Sequence, residues 1–182
     1  MSTKTLADAG SPAARFDGKA SEYPLQLHPF LSPTLADGRW AHLPWLQELP
    51  DPITSVAYGS WVEVNPATAK AAGLNTGDLV RLQSSVGELT VPVVIFPGIR
   101  PDVIAIPIGQ GHAESGRYAR GRGVNPMHLL AAMTDDKTGD LAWAATRVSM
   151  TATGERASLA ATSGNPRTLG RQILGPADGE HG

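Results

Sequence analysis

The amino-acid sequence predicts a mainly β domain closed into a small barrel. Three observations carry that expectation. Twenty glycines and fifteen prolines punctuate the 182 residues, a density that suits short strands and turns better than a helix bundle. Alternating or β-branched segments recur between those breaks, yet they are too few and too short for two sheets of immunoglobulin type. Only two segments carry helix caps, and closure would remove the sheet edges that the strands otherwise leave open.

Residues 1–22 are small, polar and aperiodic, and read as a flexible N-terminal arm. The run YPLQLHPF then predicts a short first strand ending near His28. A connection from Phe30 to about Tyr58 follows, rich in Pro, Asp and Gly. Its length marks it as functional or disordered, and Trp40, Trp45 and LPWLQELP argue for an ordered loop that packs on something. WVEV alternates as a strand does, Trp61 and Glu63 on one side, Val62 and Val64 on the other. Asn65-Pro66 opens a short helix as N-cap and first-turn proline, and Gly73 supplies its left-handed C-terminal position with Leu74 folded back over it.

A turn at Asn75–Asp78 leads into LVRLQSS, which pairs as a hairpin with GELTVPVVIF. After Pro97-Gly98 comes DVIAIPIG, a fourth strand, with Pro92 and Pro107 marking edges, bulges or strand ends. A Gly- and Arg-rich loop follows, then Asn125-Pro126 caps a second short helix, MHLLAAM, and ATRVSMTAT reads as the closing strand. The tail from Gly154 is polar and small apart from ASLAAT and a short apolar run in RQILG.

Charge and composition exclude several function classes. Fifteen Lys and Arg stand against seventeen Asp and Glu, a formal charge of -2, so no excess of positive charge is present to hold a phosphate backbone, and nucleic acid is not expected as a partner. The absence of cysteine removes disulfides, thiolate metal sites, cysteine-ligated iron–sulfur clusters and a cysteine nucleophile from this chain. No apolar run reaches the roughly 18 to 20 residues that span a bilayer. The N-terminus has no apolar centre, so neither a secretory signal nor direct membrane insertion is expected; the compartment stays open.

The candidate chemistry lies after the fourth strand. Gly109-Gln110-Gly111-His112 would let backbone amides approach a ligand closely and form an anion-binding concavity, with His112 as a donor. Arg117, Arg120 and Arg122 follow, and guanidinium groups suit phosphates bidentately. The competing reading is a solvated glycine-rich loop with surface arginines. Neither a GK[ST] Walker ending nor a Rossmann fingerprint with its helix is present. Asn125 reads equally as an N-cap or as a ligand contact, and His28 faces either ligand or core. His42 and His128 lack partners at metal-ligand spacing, the aspartates lie at turns, and no G-x-S-x-G elbow occurs. The residues support a binding module more than a complete enzyme, with no catalytic and no metal-ligating set.

The stretch from Tyr23 to about Thr153 resembles the C-terminal molybdopterin-dinucleotide-binding domain of the molybdopterin oxidoreductases, the dimethyl sulfoxide reductase superfamily. The residues that carry it are WVEVNPATAKAAGLNTGDLVRLQSSVGELTVPVVIFPGIRPDVIAIP, then GQGH, then GRGVNPMHLL. DGRWAHLPWLQELPDPIT is similar to the branch with polysulfide-reductase-like, menaquinone-reductase and alternative-complex-III subunits. The resemblance implies a six-stranded double-psi β-barrel with two or three short helices over residues 23–153, and a partly ordered tail over 154–182.

It also implies binding of molybdopterin guanine dinucleotide through His28, Gly109, Gln110, Gly111, His112 and Asn125, with Thr138 and Gly139 at a further contact turn. In that family the metal and the iron–sulfur cluster are held elsewhere. The implied partner is therefore a larger catalytic oxidoreductase subunit, to which this chain adds a non-catalytic cofactor-binding part. Two rivals stand beside this reading. One is a structural subunit of a quinone-linked respiratory complex with an empty pocket, and the other is a fragment or free-standing double-psi barrel.

Overall fold

A computed structural model of the protein describes residues 14–162. Residues 1–13 of the arm expected over 1–22, and the RQILG run, lie outside the described residues. Six strands close a barrel in the order β1-β6-β3-β5-β4-β7. They are β1 (Leu25–Leu31), β3 (Val62–Val64), β4 (Asp78–Gln83), β5 (Glu88–Ile95), β6 (Val103–Ile108) and β7 (Arg147–Arg156). The pairings β1·β6 and β3·β5 are parallel and the other four antiparallel. The six-stranded barrel expected from the sequence is thus present.

Inward positions alternate along each strand, and their side chains fill the barrel: Leu27, Val62, Val64, Val80, Leu82, Val91, Val93, Ile104, Ile106 and Val148 are all fully buried. Strand β1 runs three residues past His28, because its parallel pairing with β6 continues to Leu31 opposite Ile108. Pro92 and Pro107 sit where β5 and β6 change or lose partners. Pro92 is the last residue of β5 paired with β4, and Val93 the first paired with β3; Pro107 lies beyond the stretch of β6 that β3 covers.

Helix α2 (Pro66–Ala71) follows the sequence reading. Asn65 accepts from the Ala67 N–H at 2.8 Å, Gly73 takes φ 66°, and the Gly73 and Leu74 amides return to the Lys70 and Ala69 carbonyls. Leu74 is buried against the barrel. The second expected helix is shorter than MHLLAAM. Asn125 accepts from Met127 N–H at 3.1 Å, but only a 3-10 turn, Pro126–Leu129, forms. Leu129 plugs the core there, and the Ala131 amide is drawn off to the Thr146 hydroxyl, which ends the turn.

The long connection is ordered. It contains helix α1 (Pro44–Glu48) and strand β2 (Val56–Ala57), the latter paired with β8 (Ala160–Ala161). Residues 14–22 run alongside the end of the barrel. Asp17 exchanges backbone hydrogen bonds with Ala145 and Arg147, accepts from the Ser85 hydroxyl, and the Arg147 guanidinium lies over Phe16.

Candidate functional site

The end of β6 opens into the Gly109–His112 loop, and two other segments close on it. Gly109 takes φ 117° and its backbone packs on Leu35 and Ala36; a Cβ there would stand 3.0 Å from the Leu35 Cβ. Gly111, at φ 84°, lies directly beneath the Val124–Asn125 peptide. The loop therefore brings Gly109, Gln110, Gly111, His112 and Asn125 together, and it does so through backbone approaches that only glycine permits.

Not every group in the loop is free for a ligand. The Gly111 amide donates to the Arg122 carbonyl at 2.8 Å. Gln110, 7% exposed, exchanges hydrogen bonds with Gln47 of α1 at 2.8 and 3.2 Å, and Gln47 also donates to the Ala41 carbonyl. Gln110 is thus a clasp that holds the long connection to the loop. This pairing was invisible in the sequence, because its two halves are 63 positions apart.

His112 is different. Its Nδ1 stands 3.3 Å from the Ser115 hydroxyl, while its Nε2 is buried without a hydrogen-bond partner, facing Gly38. A Cβ on Gly38 would come within 2.7 Å of that nitrogen. Buried polar atoms are nearly always paired, and one that is not invites an explanation such as a ligand or water. The turn above it is pinned by Asp37 and Arg39, whose bidentate pair holds the Asp37 carboxyl well below the usual carboxylate range.

Asn125 spends its oxygen on the Met127 amide, which leaves the Nδ2 donor for other partners. Of the three loop arginines, Arg120 is paired with Glu114, whereas Arg117 stacks on Tyr118 and Arg122 lies 5.8 Å from the Tyr58 ring centroid. Two cations of the loop thus have no carboxylate partner among the described residues. Thr138 and Gly139 form an exposed turn of their own. Its amides at Lys137 and Thr138 donate to Asp135, whose carboxyl is lowered by them, and no described hydrogen bond ties the turn to the Gly109–His112 loop.

His28 is exposed on the outer face of β1 rather than in the core. It lines a groove of about 280 Å³ with Phe30, Glu63, Phe96 and Ala105. Glu63 is the residue that sequence reasoning missed. It is 7% exposed, and Trp61 Nε1 donates to its Oε1 at 3.3 Å. Burial pushes its carboxyl up, against the pull of the Trp61 N–H and with the Asp51 charge adding to the rise. A raised carboxyl favours the folded state below its unfolded pKa, and that contribution is lost as pH rises through the folded value. The Tm of Glu63→Gln relative to the unsubstituted chain is therefore expected to be higher at pH 8 than at pH 4, checked by thermal melts at both.

Among the described residues no cluster of three or more His, Asp or Glu is placed to hold a metal ion, and no helix is long and apolar enough to cross a membrane. Comparison with known proteins gives a consistent result. A family model described as "Molydopterin dinucleotide binding domain" matches residues 44–145. The menaquinone reductase molybdopterin-binding-like subunit of Nitratidesulfovibrio vulgaris is 35% identical over 127 residues, 70% of this chain and 18% of that protein. The arsenate respiratory reductase molybdopterin-containing subunit of Shewanella sp. is 40% identical over 111 residues, 60% of this chain and 13% of that one. Acetylene hydratase from Pelobacter acetylenicus shares the fold, with TM-score 0.57 and 20% identity over 72% of this chain and 19% of its own. The chain spans less than a fifth of the length of these relatives.

Proposed function

Since the chain belongs to the molybdopterin-dinucleotide-binding domain family, we propose that it is the cofactor-covering part of a molybdenum or tungsten oxidoreductase and contributes no metal ligand or iron–sulfur cluster of its own. The observation that carries this reading is the buried, unpartnered Nε2 of His112 inside a glycine-built loop. A loop with an orphaned imidazole nitrogen, an amide donor on Asn125 and two cations without carboxylate partners suits an anionic, polar ligand such as a pterin dinucleotide.

In this reading the cofactor supplies redox chemistry at a metal held on its pterin. The chain's own residues bind and orient. His112 donates or accepts at Nε2, Asn125 donates through Nδ2, and Gly109 and Gly111 keep the backbone close enough for contact. Gln110 acts at one remove, holding α1 against the loop through Gln47. His28 and the Thr138–Gly139 turn mark further contacts. The binding unit is residues 23–153, and the segments 1–22 and 154–182 flank it.

In this reading the partner is a larger catalytic subunit carrying the metal and an iron–sulfur cluster, in keeping with relatives named as molybdopterin-binding-like and molybdopterin-containing subunits. An apolar surface fits that role. Trp40 and Trp45 are 46% and 62% exposed, and Leu49, Ile53 and Tyr58 extend the same connection's exposed face, while Leu46 is half-buried. Such a patch marks an interaction surface.

The test is uptake of isolated molybdopterin guanine dinucleotide by the full chain and its partner, followed by pterin fluorescence. His112→Ala is expected to weaken uptake about tenfold, the scale of one hydrogen bond to a buried group. Equal uptake by both would sink the reading. A complex that retains the partner but takes up no pterin would favour the structural subunit instead.

A further inference from the structure

The exposed apolar face of the long connection is held together by its own backbone. The Tyr58 amide donates to the Gln47 carbonyl of α1, and the Asp51 amide to the Val56 carbonyl. Leu49 and Tyr58 therefore line one cavity wall, with Trp45 four positions before Leu49 and Ile53 on the turn between them. All four side chains are exposed.

The C-terminal part of the chain arrives at this same face. Strand β8 runs antiparallel to β2, with Ala160 opposite Ala57 and Ala161 opposite Val56. The Thr162 amide then donates to the Ser55 carbonyl at 3.0 Å. The chain at Thr162 is thus directed along β2 toward Thr54 and Ile53.

Residues 163–182 follow in the sequence, and they carry an apolar stripe. Asn165-Pro166 repeats the opening used at Asn65-Pro66 and Asn125-Pro126, and Gly175-Pro176 supplies a stop signal. Between these signals Leu169, Ile173 and Leu174 have the spacing of one helix face, and Arg167 and Arg171 stand four positions apart beside it. The charges are complementary. Glu48 is exposed on α1 and has no cationic partner among the described residues.

We propose that the segment Asn165–Gly175 docks on this face of its own chain, setting Leu169, Ile173 and Leu174 against Trp45, Leu49, Ile53 and Tyr58, with Arg167 and Arg171 toward Glu48. The seven residues from Thr162 to Leu169 reach at most about 23 Å, whereas the five residues of α1 rise only about 7 Å, so the tether is long enough. A short tether also raises the local concentration of the segment to about the millimolar range. A contact too weak to hold a separate peptide is then mostly formed. An amphipathic segment laid on an apolar surface is a common mode of recognition, and here it shields a patch that otherwise meets water. The partner proposed above needs the same face, but the docking rests on residues of this chain alone.

The chain has no cysteine, so Gln172→Cys in the full chain accepts a single nitroxide label. The label is expected to broaden away the indole N–H resonance of Trp45, and its reduction should restore the signal. Adding Ile173→Asp and Leu174→Asp to the labelled chain should return most of the signal without reduction. Ile53→Asp, on the opposite side of the contact, should do the same. In unlabelled chains, Ile173→Asp with Leu174→Asp should speed amide exchange several-fold over residues 44–58.

Broadening that persists through these substitutions would reflect the tether alone and overturn the inference, as would exchange that does not change. Broadening that fades when labelled chains are diluted with unlabelled ones would assign the face to a second copy and overturn it as well. Pterin uptake dependent on His112 would survive each of these results, so this inference and the proposed function fail separately.

Discussion

Gly111→Ala is expected to lower the melting temperature by about 5–20 °C. The alanine Cβ would overlap the Asn125 amide and stand 2.5 Å from the Val124 carbonyl carbon. Both are backbone, so neither can rotate away as a side chain would. The φ of 84° adds strain of its own. Left-handed backbone strain of about 1–3 kcal/mol and overpacking of about 1–3 kcal/mol together give roughly 2–6 kcal/mol, at about 2–4 °C per kcal/mol for a chain of this length. Gly116→Ala is the control. It has a similar φ of 79° but open space around it, so only the strain part applies, about 1–3 kcal/mol. Melts followed by circular dichroism compare the two. A Gly111→Ala chain as stable as Gly116→Ala would show that the Val124–Asn125 peptide is free to move, and the loop would then not be a fixed cradle.

The sequence made the local features of the fold legible and left the long-range ones hidden. Asn65, Pro66 and Gly73 specify α2 within nine residues, so its caps can be placed from residue types alone. The β4–β5 hairpin and the strand before Gly109 are equally local. The length of β1 is not, because residues 29–31 remain strand only through their pairing with β6. MHLLAAM has good helix formers, yet Leu129 is taken by the core and Ala131 by Thr146, so tertiary contacts override propensity.

The site divides in the same way. Gly109–His112 stands out because glycines at a strand end have few other uses. The assignment of Gln110 to a ligand overlooks Gln47, a partner that no spacing rule could supply. Glu63 is missed for a related reason. Alternation in WVEV places it on an outer face, and an outer face normally meets solvent. Here it is 7% exposed and lines one groove with Ile53 of the long connection and Phe96, and nothing in four residues of pattern announces those neighbours.

Gln110→Leu is expected to destabilise the chain by about 2 kcal/mol, or roughly 4–8 °C in melting temperature, because it strands buried amide groups of Gln47. Gln47 is 3% exposed, and its remaining described side-chain partner would be the Ala41 carbonyl. The penalty for a lost hydrogen bond is mostly the desolvated partner left behind, so removing both partners should cost less than the sum of the single changes. The double substitution Gln47→Leu/Gln110→Leu is accordingly expected to recover part of the loss, and a thermodynamic cycle over the four proteins gives the coupling directly.

The pair also joins two parts of the molecule with different roles. One half lies on α1, beside the exposed Trp45, and the other lies in the loop that holds His112. If the clasp transmits order between them, Gln110→Leu should raise amide hydrogen exchange in residues 38–51 as well as in 109–112. If exchange rises in the loop alone, the connection is held by Leu35, Ala41 and its β2–β8 pairing, and the glutamines act only as a buried pair. The first outcome would tie the apolar docking face to the ligand loop by a single pair of side chains, giving a large partner a physical route to the geometry around His112.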